Sequence, residues 1–208
     1  MNALNVLGID LGASSGRAML GTLEGKKLTI REIHRFLNEP VTLCGRFVWD
    51  MPRLFHEIKQ ALLKLSRSGE TVDAIGIDTW GVDFGLLDKN GHLLGLPVHY
   101  RDARTNGIPE KVRAIIPDEE LFARTGIAFN SFNTLYQLYA MKEEGDPALE
   151  SAQDLLFLPD LLAYFLTGTS VAFYVPFLVL FGVLTGLLTG LVLKLTLKPL
   201  ERLQNILK

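Results

Sequence analysis

Among its 208 residues the chain has a single cysteine, Cys44. An intramolecular disulfide is therefore excluded, and the composition fits a reducing compartment. There are only four histidines, and no His/Cys cluster has the spacing of metal ligands. His34 and His56 read as surface or packing residues. Charge of one sign is also missing: 21 Lys and Arg stand against 23 Asp and Glu, a net charge of −2. That balance does not suggest a nucleic-acid partner. Met1 to Asn5 lacks the basic start of a signal peptide. No internal repeat and no low-complexity linker is present. Most conspicuously, Leu161 to Leu193 contains no Asp, Glu, Lys or Arg.

What is present begins with Gly8-Ile9-Asp10-Leu11-Gly12-Ala13-Ser14-Ser15-Gly16-Arg17. An apolar run precedes it and Ala18-Met19-Leu20 follows, so the pattern is strand, glycine-rich turn, strand. Backbone N–H groups of such a turn converge and can bind an anion. The hydroxyls of Ser14 and Ser15 and the guanidinium of Arg17 add donors suited to phosphate oxygens. Asp10, at the end of the strand, is the kind of oxygen ligand that hydrated Mg²⁺ takes. An ordinary hairpin with a polar tip would carry the same residues. No Gly-Lys-Ser/Thr follows, which excludes the helix-entering phosphate loop, and the strand after the turn excludes a dinucleotide fingerprint.

Two further segments have a related character. Ile75-Gly76-Ile77-Asp78-Thr79-Trp80-Gly81-Val82-Asp83-Phe84 again ends an apolar strand on a carboxylate, then adds a glycine, an indole and a second carboxylate. His99-Tyr100-Arg101-Asp102-Ala103-Arg104-Thr105-Asn106 is a dense polar stretch after Leu93 to Val98. Carboxylates and arginines for hydroxyls, with an aromatic face for C–H groups, are what a sugar site needs. Each segment alone could be a solvated loop, and Trp49 and Trp80 could both be core residues.

In this order the segments resemble the FGGY family of carbohydrate kinases. The resemblance is carried by Asp10 to Arg17, Arg31-Glu32-Ile33-His34-Arg35-Phe36, Trp49-Asp50, Gly76 to Phe84, Tyr100-Arg101-Asp102 and Arg104-Thr105-Asn106-Gly107. It continues through Phe132 to Leu138, Pro159-Asp160-Leu161 and Leu166-Thr167-Gly168. It implies an α/β fold of ribonuclease-H-like, actin-like ATPase type over residues 1–168. It also implies ATP and Mg²⁺ as cofactors, and a ketose phosphorylated on its primary hydroxyl, L-rhamnulose in the branch that is most alike. Carried over residue by residue, Gly12, Ala13, Ser14, Ser15, Gly16 and Arg17 would hold ATP phosphates and Asp10 the metal. Gly81, Trp80, Asp83, Tyr100, Asp102 and Arg104 would face the sugar.

The chain departs from the family in two ways. The family's general base is an aspartate in a later Gly/His-Asp-Thr/Gln-Ala type motif, and no His-Asp pair occurs in this sequence. The family's nucleotide domain would also follow this one, so the expectation is an incomplete kinase without activity. After Gly168 the character changes. Residues 171–193 are almost wholly apolar, with Gly182, Gly186 and Gly190 at four-residue spacing, and basic residues follow from Lys194. About 20 apolar residues suffice to cross a bilayer, and small residues at this spacing let membrane helices pack closely. A membrane-spanning helix is expected over 169–193 and a basic juxtamembrane tail over 194–208. Lys198-Pro199-Leu200-Glu201-Arg202-Leu203 resembles the start of a HAMP linker. The basic flank would put the C-terminus in the cytoplasm and the kinase-like part outside it. That conflict is most simply met by a kinase reading frame joined near residue 169 to a membrane-protein end. The alternative is a membrane-anchored sugar-binding or signalling module, which needs no base.

The patterning predicts strands over Asn5–Asp10, Arg17–Leu23 and Lys27–Phe36, a buried strand over Val72–Asp78, and strands over Val82–Leu87 and His92–Val98 around a turn at Lys89-Asn90-Gly91. It predicts a helix after Asp50 with Leu54, Ile58, Ala61, Leu62 and Leu65 on one face, a second around Leu135 to Ala140, and a third over Asp160–Leu166 with Gly168 where a left-handed C′ residue would sit. Expressed whole, the chain is expected to sediment with membranes and to resist carbonate extraction. A soluble monomer in detergent-free buffer would contradict the span.

Overall fold

A computed structural model of the chain describes residues 3–169. In order, the strands are β1 (Leu4–Leu11), β2 (Ser15–Glu24), β3 (Lys27–Leu37), β4 (Val41–Leu43), β5 (Arg46–Val48), β6 (Ala74–Asp78), β7 (Phe84–Leu87) and β8 (Asp154–Phe157). The helices are α1 (Met51–Arg67), α2 (Ile108–Arg113), α3 (Asp118–Thr125), α4 (Thr134–Glu144), α5 (Pro147–Ser151) and α6 (Leu158–Thr167). These elements divide into two compact units: one holds the described residues up to 38, 52–79 and 159 onward, the other 39–51 and 80–158.

The first unit is built on a four-stranded sheet in the order β3-β2-β1-β6. β1 pairs antiparallel with β2 and parallel with β6. Alternation along the strands buries Leu7, Ile9, Leu11, Ala18, Leu20 and Phe36 on one face. α1 begins directly after Asp50 and buries Leu54, Ile58, Ala61, Leu62 and Leu65, the stripe its sequence foretold. A bond of 2.6 Å from His34 of β3 to Glu57 of α1 ties helix to sheet. Arg53 donates to the other oxygen of Glu57 at 2.6 Å, and Lys64 donates to His34 Nδ1 at 2.9 Å. Burial pushes the Glu57 carboxyl up, but its bonds to His34 and Arg53 outweigh that and hold it below the usual range. The ring edges of Phe55 and Phe165 bring α6 against α1. Gly168 closes α6 in the left-handed region at φ 67°, as its place in the sequence implied.

The opposite sheet face carries Leu4, Val6, Leu23, Leu28 and Ile30, all exposed and joined through neighbouring register positions. β6 was expected to be buried. Instead it lies at an edge of this sheet, with Gly76 and Asp78 exposed.

In the second unit β4 and β5 form a hairpin and β7 pairs antiparallel with β8. The strand expected over His92–Val98 does not form. Gly95 sits at φ 93° and Pro97 offers no N–H, so only the single bridges Leu87 to Leu93 and Val48 to Val98 remain. β8 takes the place beside β7. The turn at Lys89-Asn90-Gly91 is present, with the Asp88 carboxylate accepting from the amides of Asn90 and His92. α4 ends at Gly145, and Asp146 then caps α5 by accepting from the Ala148 amide.

No helix among the described residues is long and apolar enough to cross a membrane. The span and the basic tail expected from the sequence lie outside the described residues.

Gly16 of β2 tests the packing. A Cβ there would stand 2.3 Å from the Phe36 ring and 2.8 Å from Leu11 Cδ2. Gly16→Ala is expected to destabilise the first unit by about 1–3 kcal/mol, measured by chemical unfolding. An unchanged midpoint would contradict the packing described.

Candidate functional site

The first candidate site is the turn between β1 and β2. The Gly12 amide closes it on the Ser15 carbonyl at 2.9 Å. Asn38, almost fully buried, reaches the turn from the end of β3. Its side-chain amide donates to the Gly12 carbonyl at 2.8 Å and its backbone amide to the Ser14 carbonyl at 3.1 Å. With those two acceptors taken, the polar groups remaining at the exposed tip of Gly12, Ala13 and Ser14 are mainly donors. That is the chemistry an anion needs. Gly16 is buried beneath the tip and supports it by packing.

Asp10 and Arg17 stand opposite each other in register and form a half-exposed ion pair at 3.3 Å. Exposed pairs of this kind contribute only about 0–1 kcal/mol, so either member can be redirected to a ligand. The parallel register also sets Asp10 directly beside Asp78. Both carboxylates are exposed at the same end of their strands, around a shallow depression also lined by Gly8, Met19 and Gly76. Two neighbouring carboxylates fit a hydrated Mg²⁺, which keeps several waters and needs few protein ligands. No cluster of three or more acidic, His or Cys side chains suited to a metal occurs among the described residues.

The second candidate site lies in the other unit and is centred on Asp83, whose exposure is 0%. Its Oδ2 accepts from Trp49 Nε1 at 2.6 Å, Trp80 Nε1 at 3.0 Å and the Tyr100 amide at 3.0 Å. Its Oδ1 accepts from Gln137 Nε2 at 2.9 Å. Burial raises the Asp83 carboxyl above the ordinary carboxylate range, against the effect of these four donors. The two indoles stack with centroids 3.8 Å apart, and His99 stacks on Trp49 at 4.0 Å. Gln137 accepts from Arg104 at 2.6 Å. Arg104 Nε is buried and has no hydrogen-bond partner among the described residues. Asp102 is also buried, and accepts from the Phe47 amide at 2.7 Å, the Arg104 amide at 2.9 Å and Arg46 at 3.5 Å.

The structure thus sorts the residues expected to face a sugar. Gly81 is exposed and Trp80, Tyr100 and Arg104 are half-buried, so these can meet a ligand. Asp83 and Asp102 cannot in this arrangement, because their carboxylates are buried and already occupied by N–H donors.

A family model described as the FGGY family of carbohydrate kinases, N-terminal domain, matches residues 5–176. The chain belongs to this family. Among its relatives is a rhamnulokinase of Mannheimia succiniciproducens, 48% identical over 170 residues, which cover 81% of this chain and 35% of that protein. A rhamnulokinase of Bacteroides thetaiotaomicron is 44% identical over 170 residues, covering 82% and 35%. The chain therefore spans about a third of the length of the curated relatives it matches. Among solved structures it is similar to a gluconate kinase from Lactobacillus acidophilus, with a TM-score of 0.71 at 17% identity, over 82% of this chain and 35% of that one. A ligand-bound xylulose kinase from the same organism gives a TM-score of 0.69 at 17% identity, over 81% and 34%. These likenesses establish the sugar-kinase fold.

Within this FGGY domain, reading the sequence did not find Asn38, Gln137 or the pairing of Asp78 with Asp10. For Asp78 a signal existed: Gly8-Ile9-Asp10 and Gly76-Ile77-Asp78 are the same tripeptide, and the register aligns them residue for residue. Asn38 and Gln137 carry no local signal, since each acts on residues far along the chain.

His99 supplies a pH test. Burial, with Arg101 nearby, lowers its pKa from 6.5 to about 4, while Asp102 works in the other direction. The unfolded chain then binds the extra proton first as pH falls, so this contribution to stability is complete above pH 6.5 and is lost towards pH 4. The loss is on the order of 3 kcal/mol. Asp83, with its raised pKa, acts in the opposite sense, so the comparison is between wild type and His99→Gln. Unfolding midpoints are expected to fall more steeply in wild type over that window. Parallel curves would contradict a buried neutral His99.

Proposed function

We propose that the chain carries the phosphate-binding and ketose-binding ends of an ATP-dependent sugar kinase acting on the primary hydroxyl of L-rhamnulose. The observation that carries this is the 48% identity to a rhamnulokinase across 170 residues, a stretch that includes both candidate sites. The geometry supports it: one cluster has donors suited to phosphate, and the other joins aromatic faces to a buried arginine donor left without a partner. ATP bound at the turn would supply the phosphoryl group, and Mg²⁺ would neutralise part of its charge.

In this reading the amides of Ala13 and Ser14, the Ser14 and Ser15 hydroxyls and Arg17 hold phosphate oxygens, while Gly12, whose amide is spent on the Ser15 carbonyl, and the buried Gly16 shape the turn. Asp10, with Asp78 beside it, holds the hydrated metal. Asn38 keeps the turn's carbonyls away from the anion. Trp80 and Tyr100 cover the apolar face of the ketose, Gly81 allows its close approach, and Arg104 donates to a hydroxyl. Asp83 and Asp102 brace these groups from behind. The reading assigns no general base within these 208 residues.

The test uses the chain completed with the remaining portion of a rhamnulokinase. Asp10→Asn is expected to lower kcat by about 100-fold or more, with little change in the KM for L-rhamnulose, because the lost charge acts on transferred phosphate. Trp80→Ala is expected to raise the sugar KM and leave that for ATP nearly unchanged. The same kinetic defect in both variants would overturn the separation of a phosphate end from a sugar end.

A further inference from the structure

We propose that Asp83 is a positioning residue: its enclosed carboxylate fixes the Trp80 ring and the Tyr100 backbone where the sugar meets them, and links both through Gln137 to Arg104, without touching the sugar. The sugar part of this inference rests on the reading given above. The positioning part stands on geometry alone.

A carboxylate offers about four acceptor sites. Four N–H groups reach Asp83 at 2.6 to 3.0 Å, three of them on Oδ2 and that of Gln137 on Oδ1. They come from four separate stretches of chain: Trp49 after β5, Trp80 before β7, Tyr100 after the Gly95-Pro97 segment, and Gln137 in α4. One buried anion therefore gathers segments that sequence separates by as much as 88 residues, from Trp49 to Gln137. With no exposed surface, Asp83 cannot take a sugar hydroxyl in this arrangement.

Gln137 transmits the constraint. Its amide nitrogen donates to Asp83, to the Phe132 carbonyl at 2.9 Å and, at 3.4 Å, to the Val82 carbonyl. Its oxygen is then left facing Arg104, from which it accepts. The amide orientation set by Asp83 thus sets the position of the guanidinium. Without Asp83, the buried Trp49 indole N–H loses its acceptor and the Trp80 and Tyr100 N–H groups lose this one, so the aromatic pair loses the bonds that fix its stacking. Loss of such placement costs about 100-fold when groups shift by an ångström.

Removing the charge and removing the side chain have different consequences. In Asp83→Asn one oxygen can still accept from Trp49, Trp80 and Tyr100. The new NH₂ then meets Gln137, whose amide must turn round and give up its bonds to Arg104 and to the Phe132 and Val82 carbonyls, while the three bonds to the retained oxygen stay. Asp83→Ala removes all four bonds.

The chain has only two tryptophans, Trp49 and Trp80, and they stack on each other. Their exciton couplet in circular dichroism therefore reports this arrangement with no other tryptophan pair contributing. The experiment measures the couplet and L-rhamnulose binding by calorimetry, on the full chain, for wild type, Asp83→Asn and Asp83→Ala. The expected result is loss of the couplet in Asp83→Ala with helix content retained, and its persistence in Asp83→Asn. Sugar affinity is expected to fall about 100-fold in the first and less than about 10-fold in the second. A couplet preserved in Asp83→Ala would overturn the proposal. So would sugar binding abolished in both variants with the couplet intact, which would make Asp83 a direct ligand. If Asp83→Ala fails to fold, Asp83→Asn decides, and a folded Asn variant without the couplet contradicts the proposal. If wild type shows no response to L-rhamnulose, the sugar reading fails, while the couplet still decides whether Asp83 positions Trp80.

Discussion

Four N–H groups close on the Asp83 carboxylate, and none of its surface reaches water. A buried anion is tolerated only when its acceptor sites are filled. That requirement fixes Trp49, Trp80, Tyr100 and Gln137 relative to one another, and through Gln137 it reaches Arg104. The same requirement shapes the other unit on a smaller scale. Asn38 is buried and must spend its hydrogen bonds, and it does so on the turn that follows β1. Glu57 is buried and is held by His34 and Arg53. Asp83 and Asn38 each hold in place a surface that can face a ligand, whereas Glu57 ties α1 to the sheet.

The two candidate sites differ in how firmly they are held. Asp10 and Arg17 are half-exposed and pair with each other, so a phosphate or a metal can part them at small cost. The aromatic cluster is enclosed and multiply bonded, which suits recognition of a neutral sugar by shape. A carboxylate that looks like a ligand in the sequence can therefore be the support behind one. Asp83 and Asp102 both have this character, whereas Asp10 and Asp78 remain open to solvent.

What could be read from the sequence follows from how local each feature is. The meander of β1 to β3, the apolar stripe of α1 and the stop at Gly168 depend on residues within a turn or two of each other, and all three are present. The glycine-rich turn was legible because its residues are contiguous. The partner of β7 was not, since β8 lies some 70 residues further on and the nearer candidate segment is broken by Gly95 and Pro97. The side chains that would meet a sugar could not be told from those behind them for the same reason. Asp83 and Trp80 are three residues apart, and only the fold decides which of them turns inward. The repeated Gly-Ile-Asp tripeptide is the instructive exception, because parallel pairing of β1 with β6 converts a likeness in sequence into a pair of adjacent carboxylates.

The central claim is that phosphate and sugar are met by two different sets of residues in two units. Hydrogen exchange of the backbone amides, measured with Mg²⁺-ATP and with L-rhamnulose in separate samples, tests it most directly. The account expects the nucleotide to slow exchange in residues 12–17 and at Asn38, and the sugar to slow it at 80–81 and 100–104. Protection of the β1–β2 turn by the sugar, or of the aromatic segment by the nucleotide alone, would contradict it.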